Sequence, residues 1–269
     1  MDIGRLLKNM ARYDVVGNIC IMKFDRGVKM SKKKKEGEKF LLEHKNVRTV
    51  LDKSNKFSGR LRTQKTQYVA GERTKEVLYK ENGCVFRFNV DSCYFSPRLS
   101  SERKEIADMV KKGENVLVMF GGVAPLPVVI GKARRARRVV SVELGRECSK
   151  YALENVKRNK LVGLVEVVQG DVRRVIGRGK KINEKFDRIV MARPNLKDSF
   201  LDVAFGVIKK GELIQYYGFY PTEEKDKLKE LIIEEAKKAG RKVKILKIKE
   251  AGEIGVKKFR YRVDFRVLN

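Results

Sequence analysis

Val116–Pro125, VLVMFGGVAP, is an apolar run that ends in two adjacent glycines and a proline. Such a pattern reads as a buried strand delivering the chain through a glycine turn to the start of a helix, the usual opening of a nucleotide-binding α/β unit. Ahead of it stands Tyr94–Arg103, YFSPRLSSER, which places two arginines and a glutamate one short amphipathic stretch before the strand. A ligand cradle and a candidate acid/base pair thus adjoin in sequence.

Outward from this point the rhythm is strand and helix in alternation. Strands are predicted at Asn115–Phe120, Val139–Glu143, Val165–Val168, Phe186–Met191, Glu212–Tyr217, Lys242–Lys249 and Phe259–Val267, and helices at Leu99–Lys111, Pro127–Ala133, Arg146–Asn159, Leu196–Ile208 and Thr222–Ala239. This alternation predicts an α/β fold with a mostly parallel sheet of seven strands covered on both faces, its last two strands forming an edge hairpin through the GEIG turn at Gly252–Gly255. Upstream, Tyr13–Met22 reads as a strand, Lys32–His44 as a helix and Val47–Leu51 as a strand. The segments from Gly59 to Gly71, around Val77–Tyr79 and at Val85–Val90 read as a small antiparallel assembly. A boundary near Asp91–Tyr94 separates a small α+β domain, residues 1–93, from a larger one, residues 94–269.

Sixty-three Lys+Arg against 34 Asp+Glu give a net charge of +29. So large an excess favours a polyanionic partner, nucleic acid first, since ion pairing among its own side chains cannot absorb it. The cysteines, Cys20, Cys84, Cys93 and Cys148, show no metal-ligand spacing, and His44 is the single histidine, which argues against a zinc site or a His-based triad. No metal is expected. No stretch approaches the ~20 apolar residues of a membrane span, so a cytoplasmic location and no membrane partner are expected.

The turn itself lacks the G-x-G-x-x-G of dinucleotide folds. Gly121 and Gly122 permit close backbone approach to a ligand, and Pro125 and Pro127 suit a first helical turn. About 20 residues on, Glu143 ends the next strand, where a carboxylate can accept from both hydroxyls of a ribose. Asp171, in GDVR, follows the strand after that. Alone it would be a helix cap; with Gly-Gly and Glu143 on neighbouring strand ends it favours adenosine binding.

The series YFSPRLSSER, MFGGVAP, VVSVELGREC, NKL, GDVR and IVMARP, in this order, resembles the archaeal and eukaryotic tRNA (guanosine-37-N1)-methyltransferase family, whose archaeal relatives include enzymes that methylate a wyosine precursor. GRLRTQKTQYVAGERTKEVLYKENGCVFRFNV resembles the small domain that precedes the catalytic one in that family. The resemblance implies a Rossmann-like class I methyltransferase fold, S-adenosyl-L-methionine as cofactor, and the purine at position 37 in the anticodon stem-loop of tRNA as target; a monomer is expected. It places Phe120, Gly121, Gly122, Val123 and Pro125 against the methionine moiety, Glu143 and Leu144 at the ribose, and Asp171 and Val172 at the adenine. Glu102 and Arg62 would be catalytic, and Arg98, Ala192, Arg193, Pro194 and Asn195 would line the substrate.

Guanine chemistry needs such a pair. N1 carries a proton whose removal puts negative charge on O6; a carboxylate such as Glu102 can take the proton and a planar guanidinium such as Arg62 can hold the oxygen. On its residues alone, Glu102 could equally pair with Arg98 or Arg103 on an exposed helix start, and Arg62 could be a phosphate contact. The chain also departs from the family pattern. Val118 stands where the first strand usually ends in aspartate, Ala124 where the turn has its second glycine, and Ala192 where an asparagine bonds the target base. These changes keep a shift of target to carbon 7 of the wyosine precursor open. Val118 and Ala192 also keep open a non-catalytic tRNA-binding protein, whereas an aminocarboxypropyl transferase would share the fold and cofactor but is argued against by the SPRLSSER segment. The chain begins at the small domain without the further N-terminal module of many members, so docking is expected to fall to that domain and to the runs Lys32–Lys35 and Arg134–Arg138.

Overall fold

A computed structural model describes residues 12–53, 59 and 63–269. Two compact units emerge, one running to Glu81 and taking in Val85–Phe95, the other made of Asn82–Cys84 and Ser96–Asn269.

In the first unit β1 (Arg12–Val16), β2 (Ile19–Lys23), β3 (Thr49–Lys53) and β4 (Thr66–Gly71) form one sheet in that order. The single strand predicted over Tyr13–Met22 is a hairpin, because Gly17 turns the chain at φ 59°, and any Cβ there would lie 1.9 Å from the Leu78 carbonyl oxygen. The β2–β3 pair is parallel and the β3–β4 pair antiparallel, so the segments expected to form one small antiparallel assembly divide, β4 joining this mixed sheet. β5 (Glu76–Glu81) and β6 (Cys84–Asn89) form a separate hairpin. Helix α1 (Met30–Glu43) turns Gly37 and Phe40 onto the sheet. Phe40 packs with Val50, Val69 and Ala70 and stacks on His44 with ring centroids 3.8 Å apart, which makes the lone histidine a packing residue.

The second unit holds β7 (Asn115–Met119), β8 (Arg138–Glu143), β9 (Val165–Gln169), β10 (Phe186–Met191), β11 (Ile208–Pro221), β12 (Val243–Gly255) and β13 (Lys258–Val267). They form one sheet in the order β12-β13-β11-β10-β7-β8-β9, all running the same way except β13, which is antiparallel to both its neighbours. The strand order reverses between β7 and β10, and in open α/β sheets ligands bind at the carboxyl ends of the strands beside such a switch. Helices α2 (Ser100–Met109), α3 (Pro125–Lys132), α4 (Arg146–Arg158), the single turn α5 (Val172–Val175), α6 (Leu201–Val207) and α7 (Lys227–Lys238) complete the unit.

One face of the sheet is apolar. Leu117, Met119, Val140, Val142, Ile189, Met191, Tyr216 and Val263 share a core with Ala204 and Phe205 of α6 and Leu228 and Ile232 of α7. Because side chains alternate along each strand, the intervening residues share the opposite face: Val118, Ser141, Glu143, Arg188, Gln215, Tyr217, Arg262 and Asp264. That face is polar at its centre. Arg188, 1% exposed, donates to both oxygens of Glu114 and to the Met109 carbonyl, tying the end of α2 to the sheet.

Three predicted elements move, one of them the helix expected over Thr222–Ala239, which opens as a 3-10 turn at Thr222–Glu224 and is α-helical only from Lys227. The helix expected over Leu196–Ile208 begins only at Leu201, because the Arg193 guanidinium holds the carbonyls of Leu196 and Asp198 and Phe200 takes a left-handed φ of 58°. GEIG lies inside β12, and the hairpin turns two residues later, at Lys257 with φ 52°.

Candidate active site

The glycine turn after β7 is built by its own backbone. Phe120 at φ 65° and Gly122 at φ 57° bend it, and Gly121 donates to the Val142 carbonyl at 2.8 Å. Gly121 is required here, since a Cβ would sit 2.1 Å from the Ser141 hydroxyl oxygen, a buried oxygen without a hydrogen-bond partner. Ala124 takes φ 61°, a left-handed backbone that costs an L-residue about 1–2 kcal/mol. Val123 is buried, and its carbonyl accepts from Asn155 of α4 at 3.0 Å. Pro125 opens α3.

Glu143 ends β8 directly beside this turn. One carboxylate oxygen accepts from Gly122 N–H at 2.8 Å and the other from Gly145 N–H at 2.6 Å. Burial pushes the carboxyl above its ordinary value, and the amides of Gly145, Gly122 and Leu144 pull it partly back. These amides fix the carboxylate, an acceptor-only group whose chemistry suits the vicinal hydroxyls of a ribose. The turn leaves its glycine backbone free of Cβ atoms for the rest of an adenosyl cofactor. Leu144 lies one residue on, its carbonyl taken by Gln169. Asp171 caps α5 by accepting from Arg173 N–H at 2.8 Å, and Val172 is buried behind it.

The loop after β10 carries Ala192, Arg193, Pro194 and Asn195. Ala192 and Asn195 are exposed, whereas Arg193 is buried over the Tyr216 ring with its guanidinium 5.3 Å from the centroid. Arg193 therefore shapes the loop and does not offer its head group outward. Arg173 pairs with Asp198 through two bonds of 2.9 and 2.8 Å and lies over Phe200, whose ring meets Phe120 edge-on at 5.0 Å. The turns after β7, β9 and β10 are thereby joined.

Glu102 is buried, and the alternative partners on an exposed helix start, Arg98 and Arg103, are not among the groups that bind it. Arg103 is buried and donates to the Ser96 carbonyl, while Arg98 is exposed. Glu102 accepts instead from Arg262 at 2.6 Å, Tyr217 at 2.8 Å and Lys249 at 3.1 Å. Arg262, 0% exposed, also pairs with Glu105 at 2.8 Å and Asp264 at 2.9 Å, and Lys249 with Glu105. Hydrogen bonding to Lys249 outweighs burial and, with Arg262, holds Glu105 down to about 2. Burial pushes the Tyr217 phenol well up, and the Glu102 charge pushes it further. None of these partners was singled out in the sequence. A signal existed: in FRYRVDFRV, Arg262 and Asp264 share one face of a strand whose other face is Tyr261, Val263 and Phe265.

Strand register places the two clusters on one edge. Met119, Met191, Tyr216, Val263 and Ile248 lie level across the sheet. One residue beyond them, toward the carboxyl edge, come Phe120, Ala192, Tyr217, Arg262 and Lys249, with Glu143 beside Phe120. The Ala192 loop is thus flanked by the Glu143 turn on one side and the Glu102 cluster on the other. Arg138, by contrast, begins β8 at the amino edge and is committed to Glu166 and Glu184, so the Arg134–Arg138 run lies away from this row. Arg62 lies outside the described residues. Among those described, no group of His, Cys, Asp or Glu is placed to hold a metal ion and no helix is long and apolar enough to cross a membrane.

Comparison with known proteins matches this arrangement. Over 260 residues the chain is 33% identical to tRNA (guanine(37)-N(1))-methyltransferase Trm5b of Pyrococcus abyssi, covering 95% of this chain and 74% of that one. It is 31% identical to tRNA (guanine(37)-N(1))/4-demethylwyosine(37)-methyltransferase Taw22 of Nanoarchaeum equitans, covering 95% of this chain and 99% of the relative. The crystal structure of wild-type Trm5b from Pyrococcus abyssi superposes with a TM-score of 0.85 at 33% identity, over 100% of this chain and 79% of that one. The TRM5/TYW2 methyltransferase domain matches residues 77–247, and the chain belongs to that family.

Proposed function

We propose that the chain methylates N1 of the guanosine at position 37 of tRNA, with S-adenosyl-L-methionine as donor and Glu102 as the base. The observation that carries this reading is the row Glu143, Phe120, Ala192, Tyr217, Arg262 at one sheet edge, which sets a ribose-binding carboxylate and a buried carboxylate cluster on either side of the same loop. When bound, the cofactor supplies an electrophilic methyl group. Glu143 and the Phe120–Pro125 backbone hold and orient it, with Asp171 and Val172 at the adenine. Glu102 takes the N1 proton as the ring nitrogen is alkylated, and its fixed orientation limits the search for a productive geometry. Arg62 is proposed to hold O6, and Arg98, Pro194 and Asn195 to line the base.

Ala192 supports a second target. An alanine cannot bond the base edge, and its small size leaves room for a larger ring, which suits carbon 7 of the wyosine precursor. The Nanoarchaeum equitans relative is named for both reactions. We assign the small unit to RNA docking on the exposed Lys32, Lys34 and Lys35 of α1. The slope of log affinity against log salt should then be steep, about −0.7 per contacted phosphate on single strands and −0.9 on duplex.

The test is nucleoside analysis of tRNA incubated with the chain and methyl-labelled cofactor, using transcripts with guanosine 37 and with the precursor. Labelled 1-methylguanosine is expected. Label only at carbon 7 would transfer the assignment to the second target, and no label in either RNA would end it.

A further inference from the structure

The Glu102 environment goes beyond a base in a pocket. Six groups meet there from four elements: Glu102 and Glu105 from α2, Tyr217 from β11, Lys249 from β12, and Arg262 and Asp264 from β13. Two further cations are near. Lys247, mostly in solvent, lies 3.7 Å from Glu105, and Arg103 of α2 turns away to Ser96. Arg262 is the only fully buried cation of the group. Its one charge is shared among three carboxylates, each through a contact of 2.9 Å or less.

We propose that Arg262 is a positioning residue for methyl transfer: it aims the Glu102 carboxylate and supplies the positive charge beside it, with Asp264 competing for the same guanidinium. This rests on the reading of Glu102 as the base. An opposite charge at hydrogen-bond distance favours the ionised carboxylate and a like charge disfavours it. Arg262 holds Glu102 at 2.6 Å, while Glu105 and Asp264 surround the same guanidinium with negative charge. The balance is simple. The N1–H bond breaks, its pair stays on the ring system and goes to the new N–CH3 bond, the methyl–sulfur bond breaks with its pair left on sulfur, and the proton resides on Glu102. Tyr217 donates to Glu102 and fixes its rotation without supplying charge.

A purely structural ion pair makes a different prediction. Replacing a buried pair can destabilise the fold without altering how the base titrates. The two roles separate in the pH profile of single-turnover methylation at saturating cofactor and tRNA. Asp264→Asn leaves the guanidinium to Glu102 and Glu105, so the acid limb should move to lower pH. Arg262→Gln leaves Glu102 with Lys249 as its one cation beside two carboxylates, so the limb should move to higher pH, by about one unit or more, with the rate recovering as pH is raised. Arg262→Lys should fall between wild type and Arg262→Gln, since an ammonium keeps the charge but not the fork.

Opposite shifts in Asp264→Asn and Arg262→Gln are expected. If Arg262→Gln does not fold, Asp264→Asn alone decides. Profiles that differ from wild type only by a constant factor at every pH would overturn the proposal. Glu102→Gln is the control for the reading beneath it. A wild-type rate in that variant would remove Glu102 as the base, whereas a slow Glu102→Gln beside unshifted limbs in the other variants would remove only the role of Arg262.

Discussion

The Glu143 turn and the Glu102 cluster sit on the same sheet edge and are built in opposite ways. The turn is local and made of backbone: Glu143 reaches Gly122 across 21 residues of sequence and binds two amides. The cluster is distant and made of side chains: Arg262 reaches Glu102 across 160 residues. Burial alone drives the Glu143 carboxyl up, whereas ion pairing holds Glu105 down to about 2. The first region suits binding, where a fixed acceptor waits for hydroxyls. The second suits proton transfer, where charge must be tuned.

The sharpest way to break this contrast is Glu102→Gln. Loss of a general base should lower single-turnover methylation by about 10²–10⁴-fold, with tRNA and cofactor binding retained, as measured by rapid quench and by calorimetry. Gly121→Ala attacks the other region. Its Cβ would meet Ser141 at 2.1 Å, so stability should fall by about 1–3 kcal/mol. Ser141→Ala added to it should recover much of that loss in chemical denaturation, because the clash is with the hydroxyl.

Acidification should move the two regions in opposite directions. Glu143 has a raised folded value, so it favours folding at low pH and that contribution is lost as pH rises through the folded value. In the proposed role its ionised form accepts from the ribose, and cofactor affinity should therefore weaken on acidification at a pH above the ordinary carboxylate range. Glu105 is depressed from 4.5 to about 2, so its contribution is present above 4.5 and is lost as pH falls toward 2. Thermal unfolding should show that loss, and Glu105→Gln should flatten it. The smallest effect expected is at Ala124, where φ is 61°. Glycine relieves the strain but frees the unfolded chain, so Ala124→Gly should raise stability by no more than about 1 kcal/mol in the same assay.

The same contrast decides what could be read in the sequence. VLVMFGGVAP, Glu143 and Asp171 were legible because strand ends and glycine turns are local patterns, and parallel strands bring their ends together whatever the details of packing. The seven-stranded sheet followed from the same alternation. Arg262, Lys249 and Tyr217 were not legible as partners of Glu102, since their meeting depends on β13 inserting between β11 and β12. The helix start at Leu201 was missed for a similar reason. Leu196–Phe200 has helical periodicity, but Arg193 claims the Leu196 and Asp198 carbonyls. The Gly17 turn was hidden inside an alternating run and is imposed by Leu78, far along the chain.

That the two regions divide binding from chemistry can be tested in one measurement, the single-turnover methylation rate of guanosine-37 tRNA as a function of cofactor concentration, for wild type, Glu143→Ala and Glu102→Gln. Loss of the Glu143 acceptors should cost about 1–3 kcal/mol, a 5- to 150-fold rise in the half-saturating concentration, with the plateau largely kept. Glu102→Gln should lower the plateau by about 10²–10⁴-fold at an unchanged half-saturating concentration. A plateau that collapses in Glu143→Ala, or a Glu102→Gln defect that excess cofactor repairs, would contradict the division.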